Sequence, residues 1–426
     1  MRCFVNPSFK EVSDFISDER VKKDVADKVT DVLRNVKDNG DKAIYEYTLK
    51  FDGVDLNKKS FVIGKDEISR AVSKVDAELM NALETAKKNI VRYHDHQKRS
   101  NWQFELGYDS YIRELSIPVE NAGIYIPGGT APLVSSVLMT VLPAKVAGVK
   151  NVVVSTPPQK DGSVHDGILA ACALCDVDAV YSIGGAQAVA AMAYGTETIP
   201  KVNVIAGPGN QYVTEAKRQL FGVVGIDMIA GPSEVLVLTD ETANPEYVAI
   251  DLLSQLEHGK DSKGICISTD KAFLEKLKKS IVVENKKLKR QDILEISMEK
   301  GIILIEVPDQ NKMIELADQI GPEHLEIMMK NAKTVSEKIK NAGVVFIGEY
   351  TPEAVGDYIA GPSHVLPTGG NAQVFYGLSV YHFVKKVSHI YYSKNKLDKE
   401  YKHIQTIALA EGLDAHCASV SKRCEE

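Results

Sequence analysis

The stretch VYSIGGAQAVAAMAYG, residues 180–195, contains the repeating unit that decides the fold. A short apolar run at 180–183 is followed by a glycine pair and then by a segment of helical character. Other apolar runs of strand length lie at 152–156, 202–206, 234–238, 265–268, 302–306 and 344–347. Short strands that alternate with helical segments are typical of βαβ units. The sequence therefore predicts an α/β fold with parallel sheets.

The two ends of the chain are predicted to be largely helical. Apolar residues recur at the 3.6-residue spacing of a helix over 11–39 and 66–94. A short β section that includes residues 111–119 separates these helices from the α/β region. From Tyr376 onward the pattern returns to helical and irregular character, which indicates an appended C-terminal arm.

The composition is that of a globular protein and excludes several classes of function. The 426 residues are 44% hydrophobic and 26% charged, a length that suggests about two or three domains. A net charge of -7 argues against a nucleic-acid partner, because phosphate neutralisation needs a basic face. The N-terminus lacks the unbroken apolar centre of a signal peptide, and no apolar run approaches the ~20 residues that span a bilayer. We therefore expect a cytoplasmic protein with no membrane partner.

The six cysteines are scattered and predict no disulfide framework. Cys172 and Cys175 form a Cys-x-x-Cys pair inside an apolar helical run. A redox pair would lie at a helix N-terminus, where the helix dipole lowers the thiol pKa. We interpret these two thiols as buried packing residues.

Glycine clusters recur between the predicted strands and helices, at 127–129, 184–185, 207–210 and 231–233. In open α/β sheets, ligands bind at the carboxyl ends of the strands, where glycine lets backbone N–H groups approach them. The clusters therefore outline a crevice. The dinucleotide fingerprint Gly-x-Gly-x-x-Gly is absent, so the pattern alone leaves a phosphate-bearing ligand and ordinary turn glycines both open.

Four of the ten histidines have polar neighbours at spacings that suit a site: His258, His324, His364 and His416. The other six are interpreted as surface or core residues: His94, His96, His165, His382, His389 and His403.

Gln255 and His258 lie three residues apart, so on a helix both would face one ligand. The alternative is that His258 merely complements the dipole of a helix that Gly259 caps.

Glu323 and His324 follow Gly321-Pro322 and are predicted to begin a helix. There they would serve either as a pair of proton acceptors or as a simple helix start.

Three further polar residues flank glycines in predicted loops, namely Asp357, His364 and Glu411. Polar residues beside glycine usually have no function beyond forming the turn. Two histidines, one aspartate and one amide oxygen would nevertheless form a nitrogen and oxygen set compatible with zinc.

These residues together closely resemble the histidinol dehydrogenase family. The resemblance is carried by Gln255 and His258, by the run 321–325, and by Asp357. It extends over most of the chain after residue 115, through 123–129, 137–148, 183–195, 207–219, 227–237, 254–258, 361–368 and 410–416. Several long motifs in one order make the resemblance specific.

The resemblance implies a zinc-containing, NAD-dependent enzyme that oxidises L-histidinol through L-histidinaldehyde to L-histidine. One Zn²⁺ per subunit would be bound by Gln255, His258, Asp357 and His416. The implied catalytic residues are His324, which accepts the proton of the alcohol, and Glu323, which with His324 activates water. Further implied substrate contacts are Ser233, His364 and Glu411, beside Gln255, His258, His324, Asp357 and His416. The implied NAD contacts are Tyr125, Gln187 and Asn210.

The resemblance also implies a homodimer with shared active sites. Two incomplete Rossmann-like domains are expected, one formed by 1–122 with 240–378 and including the N-terminal helices, the other, on the NAD side, by 123–239. Residues 379–426 would form the dimerisation arm that places Glu411 and His416 in the partner's site. Four neighbouring positions depart from the family pattern, namely Leu256, Lys260, Ser363 and His382.

Three other functions fit the same residues. A related zinc and NAD dehydrogenase would act on another alcohol, but the complete set from Gln255 to His416 favours histidinol. A zinc hydrolase would use Glu323 as the base for water without a redox cofactor. A non-catalytic module would bind zinc and turn nothing over.

Overall fold

The computed structural model describes residues 1–16, 23–56, 60–128 and 132–424. Gly129 of the first predicted glycine cluster, and residues 17–22 of the predicted helix 11–39, lie outside the described residues. Two six-stranded sheets and one three-stranded sheet form the framework. The predicted α/β class is confirmed, and all seven predicted strands of the α/β region are present.

The first sheet is parallel and has the strand order β1-β12-β11-β10-β13-β14. Its strands are β1 (Arg2–Val5), β10 (Glu234–Thr239), β11 (Lys263–Ser268), β12 (Ile302–Glu306), β13 (His324–Met328) and β14 (Val344–Ile347). Side chains alternate between two apolar cores, with Leu236 and Leu238 in one and Val235 and Val237 in the other. Burial on both faces explains why these strands appear in the sequence as continuous apolar runs.

The second sheet has the order β2-β7-β6-β5-β8-β9 and is parallel except for β2. Its strands are β2 (Val62–Ile63), β5 (Asn121–Tyr125), β6 (Asn151–Thr156), β7 (Ala179–Ser182), β8 (Val204–Ala206) and β9 (Gly225–Ile226). A small antiparallel sheet, β15-β4-β3, joins β3 (Trp102–Gly107) and β4 (Ser110–Pro118) to β15 (Val384–Tyr391).

Helices cover the faces of both large sheets and form the arm. They are α1 (Phe9–Ile16), α2 (Lys23–Asp52), α3 (Lys65–Lys74), α4 (Ala77–Gln97), α5 (Val134–Ala147), α6 (Asp166–Leu174), α7 (Gly185–Tyr194), α8 (Gln211–Leu220), α9 (Pro245–Leu256), α10 (Lys271–Asn285), α11 (Gln291–Gly301), α12 (Gln310–Ile320), α13 (Ala332–Ser336), α14 (Glu353–Tyr358), α15 (Lys394–Ala410) and α16 (Asp414–Cys424). Short 3₁₀ helices occupy Asn371–Gln373 and Val380–Phe383. Among the described helices, none combines the length and the apolar character that crossing a bilayer requires.

Two predicted helices differ in detail from the structure. The predicted helix 66–94 is two helices, because Asp76 caps α4 by accepting a hydrogen bond from Leu79 N. The backbone of α2 is non-helical at Gly40 (φ 52°), just beyond the predicted helix end at residue 39. Cys172 and Cys175 are buried free thiols, and burial raises the pKa of Cys175 to about 12.

The predicted division of the chain at residue 239 differs from the observed sheets. Residues Glu234–Thr239, predicted within the second domain, form β10 of the first sheet, because a short crossover through α9 pairs β10 with β11. The N-terminal helices are all predicted with the first domain. Of these, α1 packs against α12 of the first sheet. The helices α2 and α3 pack on the second sheet instead: α2 lies against α7 and α8, and α3 lies against α6. Their apolar faces share its two cores.

A buried ion pair fixes the loop that follows β8. Lys217, on α8, contacts the Asp227 carboxylate and donates to the Gly207 carbonyl at 3.0 Å. Asp227 accepts from Gly207 N at 2.8 Å and from Met228 N at 2.7 Å. Gly207 has φ +120°, and a Cβ there would lie 2.1 Å from the Tyr125 carbonyl oxygen. Both polar groups of Gly207 are therefore held by one charge pair.

We predict that Lys217→Met lowers the free energy of unfolding by about 3–5 kcal/mol, because it leaves the Asp227 charge buried without its cation. Lys145→Met is the matched control, since Lys145 pairs with the half-exposed Asp178 at 2.9 Å and should lose less than about 1 kcal/mol. Denaturant unfolding measures both variants. Equal losses would show that burial of the Lys217 pair has no special importance.

Candidate active site

Glu323 and His324 lie at the amino end of a strand, so the predicted helix start is wrong. Gly321, in the left-handed conformation (φ +59°), ends α12, and His324 is the first residue of β13. It lies opposite Val235 of β10 and Val344 of β14. The Gly-Pro pair terminates one helix here without beginning the next, because residues 324–328 are buried and pair as a strand with β10 on one side and β14 on the other.

Glu323 is buried and held in place by the chain that enters β10. Its Oε2 accepts a hydrogen bond from Glu234 N at 3.0 Å, and the Ser233 side chain also bonds to it. Burial raises the pKa of Glu323 well above its ordinary value, and the nearby Glu234 and Asp357 charges act in the same direction. The raised pKa makes the Glu323 carboxylate a stronger proton acceptor than an exposed glutamate.

His324 has one ring nitrogen engaged and one open. Its Nδ1 lies 3.3 Å from the Glu234 carbonyl oxygen, to which it donates when it carries the hydrogen. Its Nε2 lies 3.8 Å from Asp357 Oδ1 and has no hydrogen-bond partner among the described residues. Burial lowers the pKa of His324 to about 3, so the imidazole is neutral. A neutral ring with a lone pair on Nε2 is able to accept a proton.

Gln255 and His258 both reach this site, although His258 lies beyond the helix. The α9 helix ends at Leu256, and Glu257, not the predicted Gly259, is its cap. The Gln255 amide, with its nitrogen turned toward Glu353, donates to the two carboxylate oxygens at 3.0 and 3.1 Å. The same nitrogen lies 3.0 Å from His324 Nδ1, which accepts in the tautomer that carries its hydrogen on Nε2.

A cluster of metal-ligand type contains His258, Asp357 and Glu353. One ligand atom from each lies within 4.8 Å of the other two. Sequence reasoning missed Glu353, although a signal existed: Glu353 and Asp357 are four residues apart and therefore share one face of α14. His258 is exposed to solvent, yet desolvation by its surroundings still lowers its pKa.

The charges of this cluster fit a divalent cation. Burial raises the pKa of Asp357 to about 7 and that of Glu353 well above its ordinary value. Among the described residues, the ion-pair neighbour of both carboxyl groups is His324, which is itself held neutral. Buried carboxyl groups of this kind are paired or bind metals. A zinc ion would be suited by the imidazole, the carboxylates and the amide oxygen of Gln255.

His364 and Ser233 border the same region. His364 Nε2 lies 3.2 Å from Ser136 Oγ on α5, and its Nδ1 lies 3.1 Å from the Asp357 carbonyl oxygen. Burial lowers the pKa of His364 to about 4. Because α5 belongs to the second sheet and Asp357 to the first, His364 marks the boundary between them.

The three predicted cofactor residues lie at carboxyl ends of the second sheet. Tyr125 ends β5, and its hydroxyl accepts a hydrogen bond from Gly185 N at 3.0 Å. Gln187, in the first turn of α7, is buried, and its Oε1 has no partner in the described part of the chain. Asn210 caps α8 by accepting from Tyr212 N and Val213 N, so its amide nitrogen is the group left for a ligand.

Glu411 and His416 are not brought to this cluster within the chain described. Glu411 caps the end of α15, His416 lies in the first turn of α16, and both are exposed.

Comparisons with known proteins agree across almost the whole chain. The family model described as histidinol dehydrogenase matches residues 17–424. A histidinol dehydrogenase from Bacillus cereus is 46% identical over 407 residues, which are 95% of this chain and 94% of that protein. The chain belongs to the histidinol dehydrogenase family. As a member, it is an oxidoreductase that acts on CH–OH donors.

Solved structures agree with this family assignment. A crystal structure of histidinol dehydrogenase from Elizabethkingia anophelis matches with a TM-score of 0.94 and 39% sequence identity. The match covers 100% of this chain and 98% of that one. An acetylating aldehyde dehydrogenase from Geobacillus thermoglucosidasius has a TM-score of 0.51 at 14% identity, covering 90% of this chain and 97% of that one. The second likeness shows only that the histidinol dehydrogenase fold resembles that fold.

We predict that Glu353→Gln weakens zinc binding about 10–100-fold, because an amide replaces the carboxylate that holds Gln255 and borders the cluster. Asp357→Asn should weaken it at least as much. Competition with a chromophoric chelator measures both affinities. The control is Glu349→Gln, which removes an exposed carboxylate just before α14 and should leave zinc affinity unchanged. An unchanged affinity in Glu353→Gln would exclude that carboxylate from the metal site.

Proposed function

We propose that this protein is a zinc- and NAD-dependent histidinol dehydrogenase that oxidises L-histidinol through L-histidinaldehyde to L-histidine. The observation that carries the proposal is the position of His324. Its Nδ1 lies 3.8 Å from carboxyl oxygens of Glu323 and Glu353, and its open Nε2 lies 3.8 Å from Asp357 Oδ1. The ring therefore lies between Glu323 and the metal-ligand cluster that Glu353 and Asp357 form with His258. A proton acceptor beside a cation site suits an alcohol that has metal-binding nitrogens of its own, as histidinol has.

Zinc, when bound, would hold the substrate in position by coordinating its amino and imidazole nitrogens. Gln255, His258 and Asp357 would hold the ion from one subunit. Glu353 would orient the Gln255 amide, because a nitrogen that donates to Glu353 leaves the amide oxygen directed elsewhere. Ser233 and His364 would border the substrate.

His324 would accept the hydroxyl proton as hydride leaves the carbon. The tautomer suited to this step has Nδ1–H donating to the Glu234 carbonyl, which leaves the lone pair on Nε2. In that tautomer the Gln255 nitrogen donates to Glu353 and not to His324. Three carboxyl groups lie within 3.8 Å of the ring nitrogens, those of Glu323, Glu353 and Asp357, and once ionised they would stabilise the imidazolium that forms. These neighbours offset the low basicity that burial imposes on the free ring.

Glu323 would serve the second oxidation. Water must add to the aldehyde carbon before a second hydride can leave and produce the acid. Glu323, with His324 beside it, would remove a proton from that water. Burial of both groups would also retain the reactive aldehyde between the two oxidations.

NAD would accept the hydride in each oxidation, and two molecules would be used per histidinol. Tyr125, Gln187 and Asn210 would bind it at the carboxyl ends of the second sheet. The unpartnered Gln187 Oε1 supports this assignment, since a buried polar atom without a partner is costly unless a ligand supplies one.

A homodimer would complete the zinc and substrate sites. Glu411 and His416 are exposed on the terminal helices, and Ile407, Leu409 and Leu413 around them are exposed apolar side chains. An apolar, exposed arm is typical of a surface that another subunit covers. We propose that each arm brings His416 to the partner's zinc and Glu411 to the partner's substrate.

The purified protein should form two NADH per histidinol in an absorbance assay with limiting substrate. Glu323→Gln should stop near one NADH, because the amide no longer activates water. His324→Asn should depress the oxidation of both histidinol and added histidinaldehyde, each by about 10²–10⁴-fold.

Prolonged chelation should abolish turnover, and zinc should restore it. The exposed Glu349→Gln variant provides the control with full turnover. Metal-dependent hydrolysis of esters or amides with no NADH formed would instead identify a zinc hydrolase.

Mixed dimers test the shared site. His258→Ala and His416→Ala homodimers should both be inactive, since every site lacks a ligand. After unfolding and random reassociation of the two variants, about half of the dimers are mixed, and each mixed dimer has one intact site. Activity should return to about a quarter of the wild-type value per subunit. No recovery, with subunit exchange confirmed by mass spectrometry, would show that all ligands come from one chain.

A further inference from the structure

Several buried polar atoms at the carboxyl end of the second sheet have no hydrogen-bond partner in the described part of the chain. They are Thr156 Oγ1, Ser182 Oγ, Gln187 Oε1 and Asp52 Oδ2. Thr156 and Ser182 end β6 and β7 and lie opposite each other in the register of the two strands. Gln187 follows in the first turn of α7, and Thr156, Ser182 and Gln187 are at most 1% exposed.

Unpartnered atoms of this kind rarely accumulate at one place in a fold. Leaving a buried donor or acceptor unsatisfied costs about 1–3 kcal/mol each, and most such groups are paired in native proteins. Three of them lie at or just beyond the ends of β6 and β7, and Asp52 lies near Tyr125 at the end of the neighbouring β5, so we infer that a polar ligand completes their hydrogen bonds. The proposed NAD-binding residues Tyr125 and Gln187 lie at the same edge.

Asp52 contributes the one acidic side chain of this group. It is the last residue of α2, and its charge acts on the Tyr125 hydroxyl, which in turn accepts from Gly185 N at the start of α7. Burial raises the pKa of Asp52 to about 6, so the group is largely ionised above neutral pH. Asp52 therefore places a carboxylate beside the proposed cofactor site.

The charge restricts what Asp52 can contact. A carboxylate accepts hydrogen bonds and repels phosphate, so it suits a hydroxyl of the cofactor and not its pyrophosphate. The α2 helix packs on α7 and α8 of the second sheet, whereas His324, where hydride leaves, belongs to the first. Asp52 therefore suits the adenosine half of the dinucleotide, which lies away from the reacting carbon.

We propose that Asp52 accepts a hydrogen bond from the 2′-hydroxyl of the adenosine ribose and thereby selects NAD over NADP. The inference rests on the proposed use of NAD. A carboxylate at the ribose hydroxyl serves this purpose in dinucleotide-binding folds, where a 2′-phosphate would meet like charge. Here the carboxylate comes from the end of the N-terminal helix α2 and not from a segment that follows a glycine fingerprint, which this sequence lacks.

The test compares Asp52→Asn with the wild-type protein by fluorescence titration of NADH, NADPH and 2′-deoxyadenosine NADH. Loss of a charge-assisted hydrogen bond should weaken NADH binding about 10-fold. NADPH binding should not weaken, so the preference for NADH over NADPH should fall at least about 10-fold. The matched control is Asp38→Asn, which removes an exposed carboxylate from the same helix and should change neither affinity.

The deoxy cofactor assigns the contact to the hydroxyl. The wild-type protein should bind it about 10-fold less tightly than NADH, and Asp52→Asn should bind the two equally. Equal binding of NADH and its 2′-deoxy form by the wild-type protein would overturn the inference, even if the variant does not fold. An unchanged NADH to NADPH preference in a folded Asp52→Asn would also overturn it. Failure of the wild-type protein to bind NADH at all would instead reject the proposed function.

Discussion

The burial of three carboxyl groups around one neutral histidine constrains the whole active site. Glu323, Glu353 and Asp357 each lie within 3.8 Å of a His324 ring nitrogen, and all four side chains are nearly withdrawn from solvent. Desolvation raises the pKa values of the acids and lowers that of the imidazole, so the cluster would carry little charge alone. A bound cation would reverse this for the acids. In the proposed enzyme, metal binding and the protonation state of the base would therefore be linked.

The buried carboxyl groups and His324 lie at the amino ends of the strands of the first sheet, which is an unusual position for a site. Ligands of open α/β sheets are expected at the carboxyl ends of strands. The second sheet follows that rule, with Tyr125 at the end of β5 and Gln187 beyond β7. In the first sheet, His324 lies at the amino end of β13, beside the start of β10. The two halves of the site thus come from opposite ends of their respective strands.

Sequence patterns predicted what depends on local periodicity and failed where distant packing decides. The runs at 234–238 and 302–306 could be predicted as strands, because burial on both faces of a sheet requires a continuous apolar run of strand length. The Gly321-Pro322 pair predicted the start of a helix but ends one, because glycine and proline occur at both helix ends. Glu353 could not be singled out, because an acidic residue in the first turn of a helix is commonly there only to interact with the helix dipole. The packing of α2 on the second sheet depends on contacts that no spacing encodes.

The segment 361–370 connects the edge of the first sheet that carries His324 to the second sheet, so that both contribute to one site. His364 joins Ser136 on α5 to the Asp357 carbonyl, and Ser363 donates to the Met139 carbonyl at 2.9 Å. At its other end, Gly369 N donates to Glu234 Oε1 at 2.9 Å, on the residue whose backbone N–H bonds to Glu323. A shift of one sheet against the other would break these bonds together. In the proposed reaction hydride would pass between groups held by different sheets, so the rigidity of this segment would set the distance over which it moves.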